Sequence, residues 1–434
     1  MADARRFTVR LLTRIDEKGA YSNLLLDESL SRSELSEQDK RFASALFYGT
    51  LERRYTLDEV IRTHLKNPGA KLSCEVRNIL RTGIYQILYM DSVPESAAVD
   101  ESVKLAKKCR NPAAAGFVNG LLRSFIREGK KLPEADSKVR ALSLEYSCPE
   151  WLTEKWCLEY GEDTARVMLE TSLGQAPVTV RANTLKRPVG EIISILQEDG
   201  FGVEKTAYAA DCLRICGAGV EHSRAYKEGL IHVQDLSCQL CCEALGAEDG
   251  ETVLDICSAP GGKAFTIAER MHNCGRVLAF DLHGNRVKLI KSGADRLGLT
   301  IIEASVNDGK KFSGDIPEAD RVLCDVPCSG LGVIRRKPEI KYKDPGEFER
   351  LPEIQYAILE TSSRYVKKGG TLVYSTCTLS QAENGDVVRR FLDGHKGFTA
   401  GTLPEKLGGG GDVTITPDKF GSDGFYIAVF VRKE

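Results

Sequence analysis

Two short segments of this sequence place a cysteine where a predicted strand ends. Cys328 lies in DVPCSG (325–330) and Cys377 lies in STCTLSQAEN (375–384). A thiolate that adds to carbon 6 of a pyrimidine ring makes carbon 5 reactive toward an electrophilic methyl group. The proton on carbon 5 must leave afterwards, so that the enzyme thiol can depart. Both cysteines lie at a predicted strand end, and a cysteine in such a turn is more often structural. The residues alone therefore do not decide which cysteine, if either, is the nucleophile.

A glycine turn, DICSAPGGK (255–263), joins another predicted strand to a helix. Gly261 and Gly262 allow the backbone to approach a ligand closely and open the helix. The turn differs from the phosphate-binding loop of nucleotide hydrolases, because Cys257 occupies its first glycine position and Ala264 its final hydroxyl position. The dinucleotide loop G-x-G-x-x-G is also absent, which disfavours a dehydrogenase.

Carboxylates follow several of the predicted strands. Asp281 ends the strand after the glycine turn, where it could accept hydrogen bonds from both ribose hydroxyls of a nucleoside. Asp308 follows a third strand candidate (301–306) and is placed to reach an adenine ring. Any one of these acids could simply cap a helix or face water. Together with the glycine turn, they predict a nucleoside cofactor.

The elements that must position these residues form an alternating pattern after residue 226. Short apolar runs (ETVLDI, GRVLAFD, DRVLCD and GTLVYS) are separated by segments with apolar residues at helical spacing. This alternation predicts a parallel sheet covered by helices on both faces, which is a Rossmann-like α/β fold. Ligands of such sheets bind at the C-terminal ends of the strands, where Asp255, Asp281, Asp325 and Cys377 fall.

The residues before 226 show two other sequence patterns. Residues 1–140 show apolar positions at helical spacing and predict an all-α bundle, which ends near the linker-like segment 129–137. From residue 178, VTVRAN alternates like a strand, a helical pattern runs from Pro188 to Gly200, and strand candidates follow around 203, 212–216 and 230–234. We therefore predict three domains, with boundaries 1–140, 141–225 (small α+β, ferredoxin-like or RRM-like) and 226–434.

Composition narrows the class of protein. The 434 residues are 42% hydrophobic and 28% charged, which is ordinary for a globular protein. No apolar run reaches the ~18 residues of a membrane span, and the start lacks the apolar core of a signal peptide, so we expect a cytoplasmic protein. Residues 1–140 hold 25 Lys and Arg against 19 Asp and Glu. This excess of +6 fits phosphate binding, or equally a solvated helical surface.

The fourteen cysteines are spread through hydrophobic runs, which does not suggest a disulfide framework. Cys238 and Cys241 form a CxxC pair, but no second pair follows at a metal-ligand spacing. Buried thiols on a helix are the better interpretation, and we expect no metal site.

Taken together, the motifs DICSAPGGK, FDL, DVPCSG and STCTLSQAEN resemble, in this order and spacing, those of RNA (cytosine-5) methyltransferases. GVIRRKPEIK (332–341) and SDGFYIAVF (422–430) sharpen the resemblance to the bacterial 16S ribosomal RNA methyltransferase B family, also called Sun or Fmu. FYGTLERR (47–54) and GFVNGLLR (116–123) are similar to that family's domain related to the antitermination factor NusB. The resemblance covers nearly the whole chain.

The resemblance implies an enzyme that transfers a methyl group from S-adenosylmethionine to carbon 5 of a cytosine, namely cytosine 967 of 16S ribosomal RNA in its usual reference numbering. Cys377 would be the nucleophile and Cys328 would assist release of the methylated RNA. Asp325 would protonate or hydrogen-bond the cytosine ring, and Lys263 would lie close to the target base. The cofactor would be bound by Cys257, Ser258, Ala259, Pro260, Gly261, Gly262, Lys263, Asp281, Asp308 and Asp325.

The expected partner is 16S ribosomal RNA, free or in an early assembly intermediate, and the expected state is a monomer. Single-stranded loops are the expected target, because a paired base must be unstacked before a thiol reaches carbon 6. We expect the N-terminal bundle to bind RNA, with scaffolding as the alternative. Candidate contacts to the RNA backbone are Arg181, Asn183, Arg335, Arg336 and Lys337.

Three alternatives stay open. The chain could methylate another ribosomal or transfer RNA site. It could methylate a protein or a small molecule, although that chemistry does not need two strand-end cysteines. It could also be a non-enzymatic RNA-binding antitermination-type factor, although such a factor predicts broken cofactor or cysteine motifs, and here they are intact.

Overall fold

The computed structural model describes residues 2–18, 22–67, 69 and 71–433. It divides into two compact units, which we call the helical unit and the sheet unit. The helical unit comprises Met1–Gln175 and Ile334–Lys343, and the sheet unit comprises Ala176–Val333 and Asp344–Glu434. None of the helices in the described ranges is long and apolar enough to span a bilayer.

The helical unit is built from ten α-helices in the described residues. They are α1 (Ala2–Lys18), α2 (Ser22–Ser31), α3 (Glu37–Glu52), α4 (Arg54–Thr63), α5 (Cys74–Tyr89), α6 (Glu95–Lys107), α7 (Ala114–Arg127), α8 (Lys138–Tyr146), α9 (Glu150–Tyr160) and α10 (Glu162–Thr171). The apolar periodicity of residues 76–88 predicts α5, whose Val76, Ile79, Leu80 and Ile84 are all buried. The sequence analysis assigned no helix to α8–α10.

A buried arginine ties three helices of this unit together. Arg81 on α5 is 2% exposed and donates to Asp58 on α4 at 2.6 and 2.7 Å and to Asp16 on α1 at 2.7 Å. Although burial lowers the pKa of Arg81, the charge of Asp58 outweighs it, so the guanidinium stays ionised. Loss of one partner would leave a buried charge uncompensated, at a cost of about 3–5 kcal/mol.

The segment Ile334–Lys343 belongs to the helical unit although it follows Cys328 closely in the chain. It contains a short 3₁₀ helix, Pro338–Tyr342. The fully buried ammonium of Lys341 donates to the carbonyl oxygens of Glu52 at 2.8 Å and Ser147 at 2.7 Å. Burial lowers the pKa of Lys341 to about 8. At Lys341 the segment is therefore packed into the helical unit rather than solvated.

The sheet unit begins with a small four-stranded antiparallel sheet in the order β2-β3-β1-β4. Its elements are β1 (Val178–Ala182), α11 (Val189–Glu198), β2 (Gly202–Lys205), β3 (Cys212–Cys216), α12 (Arg224–Lys227) and β4 (Ile231–Val233). Buried residues of α11, such as Ile192 and Leu196, pack on buried strand residues such as Val180 and Leu213. The strand and helix predictions for 178–234 are therefore confirmed.

The second sheet of this unit has eight strands in the order β10-β12-β9-β8-β5-β6-β7, with β11 paired to β12. Its strands are β5 (Thr252–Asp255), β6 (Arg276–Asp281), β7 (Ile302–Val306), β8 (Ala319–Asp325), β9 (Val366–Thr376), β10 (Phe398–Ala400), β11 (Asp412–Ile415) and β12 (Phe425–Arg432). Its helices are α13 (Leu236–Leu245), α14 (Gly262–Arg270), α15 (Gly284–Leu297), α16 (Leu351–Ser363), α17 (Gly385–Gly394) and α18 (Pro417–Phe420).

Strands β5 to β9 are mutually parallel, whereas β12 runs antiparallel to β9, so the sheet is mixed. Two clusters of buried apolar residues contain strand residues together with residues of α13–α15 in one and of α16 and α17 in the other. The fold class is therefore confirmed as a helical domain, a small α+β domain and a Rossmann-like α/β domain. The exact domain boundaries stay predictions.

Candidate active site

The ends of four neighbouring parallel strands bring the predicted residues to one edge of the large sheet. In the order β9-β8-β5-β6, these strands end at Thr376, Asp325, Asp255 and Asp281. Cys377 directly follows β9, and Asp325 pairs in register with Ser375. The parallel topology therefore does what the sequence predicts, because it gathers polar residues far apart in the chain at one carboxyl edge.

The glycine turn between β5 and α14 is fixed by backbone hydrogen bonds to neighbouring strands. The Ile256 amide donates to Leu323 O at 3.0 Å, and the Ser258 amide donates to Phe280 O at 2.7 Å. Gly261 has a φ of +110°, and a Cβ there would lie 2.4 Å from the Phe265 ring. A glycine is required at this position for both reasons.

Three polar side chains beside this turn have capacity for a ligand. Both carboxylate oxygens of the fully buried Asp255 and the buried Nδ2 of Asn307 lack a hydrogen-bond partner among the described residues. Burial raises the pKa of Asp255 to about 7. Asp281 is 4% exposed, accepts from the His283 amide at 3.0 Å and pairs with Arg286 at 3.2 Å.

Asp308 lies just beyond β7 and is only partly exposed. Its Oδ1 accepts from the Lys310 amide at 3.2 Å, and its Oδ2 lies 3.6 Å from the Lys311 ammonium, whose side chain is 82% exposed. The neighbouring Asn307 amide donates to Asp281 O at 3.1 Å, which joins the two acidic positions through the backbone.

The two candidate nucleophiles are in direct contact. The Sγ atoms of Cys328 and Cys377 lie 3.2 Å apart, and either atom could be the donor. A hydrogen bond to Cys377 that favours the protonated Cys328 thiol, followed by burial, raises the pKa of Cys328 well above its ordinary value. The backbone joins the same two loops, because the Gly332 amide donates to Cys377 O at 3.0 Å. The pair can therefore share a proton.

An ion pair lies in the same neighbourhood. Lys263 Nζ donates to Asp325 Oδ2 at 2.7 Å and approaches Cys238 Sγ at 3.4 Å, while the Ser375 hydroxyl donates to Asp325 Oδ1 at 2.9 Å. Burial opposes the charge on Lys263, but the Asp325 carboxylate outweighs it and raises the pKa of Lys263 well above its ordinary value. Lys263 is therefore a fixed cation at the site.

The sequence pattern predicts no role for Glu383 and Asn384, although both lie in the motif STCTLSQAEN. The buried Glu383 carboxylate accepts from the Ser329 amide at 2.9 Å and from Gln355 Nε2 at 2.9 Å. Asn384 Oδ1 accepts from the Thr376 hydroxyl at 2.6 Å, and its Nδ2 donates to Thr378 O at 3.0 Å. These two residues hold the loops of both cysteines, and their polarity in a turn after a nucleophile candidate was the available signal.

Comparison with known proteins identifies the family. A family model described as 16S rRNA methyltransferase RsmB/F matches residues 242–431, a NusB family model matches 2–127, and a ferredoxin-like domain model of RsmF/B-like methyltransferases matches 148–220. The probable ribosomal RNA small subunit methyltransferase B of Bacillus subtilis is 40% identical over 441 residues, covering 99% of this chain and 98% of that protein. This chain belongs to the RsmB/F methyltransferase family.

Other relatives agree with this membership. The ribosomal RNA small subunit methyltransferase B of Serratia proteamaculans is 31% identical over 386 residues, covering 88% of this chain and 87% of that protein. The crystal structure of PH0851 superposes with a TM-score of 0.85 at 26% identity, over 100% of this chain and 99% of that one. The resemblance in the motifs is thus confirmed, and the chain is an S-adenosylmethionine-dependent RNA methyltransferase.

The residues beside the glycine turn fit the cofactor of this family. Asp281 presents a carboxylate at the end of β6, where it pairs with the half-exposed Arg286, which also donates to Ala259 O at 2.6 Å. Asn307 supplies a buried donor without a partner, and Asp255 supplies buried acceptors. A nucleoside with a charged amino-acid tail offers hydroxyl, amino and ring groups that match such a set.

Two of the predicted RNA contacts are wrong. Arg181 is 4% exposed and donates to Glu269 at 2.6 Å and Asp211 at 3.2 Å. Asn183 is fully buried and donates to Gly229 O and Leu297 O. Both therefore stabilise the sheet unit internally, because their hydrogen-bonding capacity is used there and no RNA backbone can reach them.

The remaining predicted residues are placed as follows. Cys238 and Cys241 lie on α13, as predicted, and Cys241 is fully buried. Arg335, Arg336 and Lys337 are half buried within Ile334–Lys343. No group of three His, Cys, Asp or Glu side chains that could hold a metal ion occurs among the described residues.

Proposed function

We propose that this enzyme methylates carbon 5 of a cytosine in 16S ribosomal RNA through a covalent bond between Cys377 Sγ and carbon 6. The observation that carries the proposal is the contact of two thiols, 3.2 Å apart, at adjacent strand ends. A methyltransferase acting on an oxygen or an exocyclic nitrogen needs no thiol at its site. The printed names of the relatives support 16S ribosomal RNA as the substrate.

In the proposed reaction, the Cys377 thiolate forms the Sγ–C6 bond while the C5–C6 π electrons move into the ring. Asp325, fixed by Lys263 and Ser375, hydrogen-bonds or protonates the ring nitrogen that receives this charge. S-adenosylmethionine supplies the electrophilic methyl group when bound. Water or hydroxide accepts the carbon 5 proton, and the C–H electrons re-form the C5–C6 double bond as the Sγ–C6 bond breaks. The ring nitrogen returns its proton to Asp325, and Cys377 leaves as thiolate.

Cys328 assists that release because its sulfur lies within hydrogen-bond distance of the departing one. A Cys328 S–H that donates to the Cys377 thiolate stabilises the leaving group. Lys263 keeps Asp325 oriented and brings positive charge close to the target base. The cofactor would be held by the turn 257–263, with Asp281 at the ribose, Asp308 at the adenine and Asp325 lining the site.

We place the reaction in the cytoplasm, on free 16S ribosomal RNA or an early assembly intermediate, with a monomeric enzyme. Cytosine 967 is the proposed target. Its test is bisulfite sequencing of ribosomal RNA from cells with and without the gene, complemented by the wild-type chain or by Cys377→Ala. A protected cytosine at 967 should disappear without the gene and return only with the wild-type chain. An unchanged 16S map, or loss of protection at another ribosomal or transfer RNA site instead, would show that cytosine 967 is not the target.

We also propose that the helical unit binds RNA through a basic groove. This groove is a cavity of about 870 Å³ lined by Arg6, Arg10, Arg14, Lys71, Lys108 and Arg110. The three arginines recur every four residues on α1, so they share one helix face. Only two acidic residues, Glu17 and Glu75, line the cavity. Such an excess of cations in a cleft suits the phosphate backbone of a single-stranded segment.

A further inference from the structure

Both cysteines of the active site have the same chemistry, and their positions are nearly equivalent. They follow neighbouring parallel strands, β8 and β9, and their Sγ atoms are 3.2 Å apart. Both side chains are partly exposed. Spacing and reach therefore give no reason for one sulfur to attack and the other to assist. What differs is the charge around each of them.

On the Cys328 side lies a buried carboxylate. Glu383 is 2% exposed, and its Oε2 accepts from the amide of Ser329, the residue after Cys328, at 2.9 Å. Its second donor is the neutral Gln355 Nε2 at 2.9 Å, which also donates to Pro327 O at 3.0 Å. Glu383 forms no ion pair with any residue that the structure describes. Its negative charge therefore acts on the Cys328 thiol without a cation to neutralise it.

A largely shielded cation lies close to the apolar core against which Cys377 packs. Lys263 Nζ approaches Cys238 Sγ at 3.4 Å, and Cys238 and Cys377 pack against the same apolar core. Asp325 offsets part of the Lys263 charge. The anion Glu383 thus contacts the loop of Cys328, whereas the cation Lys263 contacts Asp325, whose register partner Ser375 lies two residues before Cys377.

We propose that Glu383 assigns the roles of the two cysteines: its carboxylate keeps Cys328 as the protonated thiol and leaves the shared negative charge on Cys377. Glu383 is a positioning residue in this scheme, because it acts through Cys328. The proposal rests on the proposed function for the identity of the attacking sulfur. It gives a physical reason for the different roles of the two cysteines, which their spacing does not explain.

The charged and titratable groups that face the sulfur pair come from five elements. They are Cys238 on α13, Lys263 on α14, Asp325 on β8, Tyr374 on β9 and Glu383 in the turn before α17. After the hydrogen bond to Cys377, burial and the charge of Cys377, the Glu383 charge adds to the raised pKa of Cys328. Of these groups, only Glu383 is an anion without a cationic partner among the described residues.

The test is the rate at which iodoacetamide alkylates each thiol between pH 6 and pH 10, read by peptide mass spectrometry. Each alkylation forms an S–C bond and releases iodide, and it requires the thiolate, so the rate reports which sulfur carries the charge. In the wild-type chain Cys377 should react at lower pH than Cys328. In Glu383→Gln, whose amide oxygen can still accept from Ser329, the Cys328 profile should move down by about one pH unit and its share of product should rise about tenfold.

Glu303→Gln is the matched control. Glu303 is an exposed residue of β7, an edge strand of the large sheet, and its carboxylate pairs with Arg276. It should leave both profiles unchanged. Glu383→Asp, which keeps the charge, should restore the wild-type order. Unchanged profiles in a folded Glu383→Gln variant would overturn the proposal. If that variant fails to fold, earlier alkylation of Cys328 than of Cys377 in the wild-type chain would overturn it instead.

This test is separate from that of the proposed function. Full methyl transfer by Cys377→Ala would refute the covalent mechanism whatever the alkylation order. Conversely, an inactive Cys377→Ala together with unchanged alkylation in Glu383→Gln would refute the role of Glu383 and leave the covalent mechanism standing.

Discussion

The carboxyl edge of the large sheet and the basic groove of the helical unit hold their charged groups in opposite ways. At the sheet edge, Lys263 and Glu383 are held by short hydrogen bonds and are almost shielded from water. In the groove, Arg6, Arg10 and Arg14 are exposed and form no ion pair with the described residues. Groups that shift electrons must be fixed in advance, whereas groups that hold a polyanion gain by staying solvated until it arrives.

The largest effect should come from the sulfur that bonds to the base. Cys377→Ala removes the nucleophile, so methyl transfer to 16S ribosomal RNA should fall by about 10³-fold or more, measured with a labelled cofactor. Cofactor binding, followed by calorimetry, should survive because the turn 257–263 is untouched. Cys216→Ala, an exposed thiol on β3, is the control and should keep full activity. Comparable turnover by Cys377→Ala and Cys216→Ala would contradict the assignment of Cys377 as the nucleophile.

A smaller effect is expected from the assisting sulfur. Cys328→Ala should slow turnover by about 10- to 100-fold, because the departing Cys377 thiolate loses its nearest donor. The covalent RNA adduct should then accumulate and appear as a retarded protein band on a denaturing gel. Adding Cys377→Ala to the same chain should abolish that band. Normal turnover without any adduct would remove Cys328 from the release step.

The sequence predicts which residues meet at the sheet edge because strand ends can be read from local patterns. Apolar runs that end in Asp255, Asp281 and Asp325 identify the strands, and parallel topology then brings these ends together. It fails for Arg181, since a basic residue in an alternating strand looks the same whether it faces RNA or pairs with Glu269, 88 positions away. Such long-range pairing has no local signature.

The same limit applies to the segment Ile334–Lys343. Its basic run looks like a solvated RNA-binding loop, but Lys341 is buried against carbonyl oxygens of Glu52 and Ser147. Glu383 was also overlooked, because a glutamate in a turn usually faces water and only the fold shows it buried beside Ser329. In these cases the residue type was visible in the sequence, and the partner that determines its role was not.

A third prediction concerns the effect of the buried Asp255 carboxyl group on the stability of the folded chain. Because burial raises the pKa of Asp255 to about 7, the folded chain binds this proton more tightly than the unfolded chain does. Stability should therefore fall as the pH rises from about 4 to about 7. Asp255→Asn should remove this dependence and raise stability at pH 8 by about 2 kcal/mol.

Thermal melting across pH measures this effect, and Asp315→Asn, an exposed acid before β8, is the control. The control should keep the wild-type dependence on pH. A parallel shift of the Asp255→Asn and wild-type curves would show that the proton on Asp255 does not couple to folding.

The smallest effect is expected in the groove, where six cationic side chains contribute to RNA binding. Arg10→Gln should weaken binding of a single-stranded 16S fragment by a few-fold and lower the slope of log affinity against log salt by about 1, since one phosphate contact is lost. Arg41→Gln, an exposed arginine on α3 outside the groove, should change neither. Methyl transfer at saturating RNA should be unaffected, because the groove binds and does not react. Equal salt slopes for the two variants would assign the groove to scaffolding and leave the sheet edge as the part that recognises RNA.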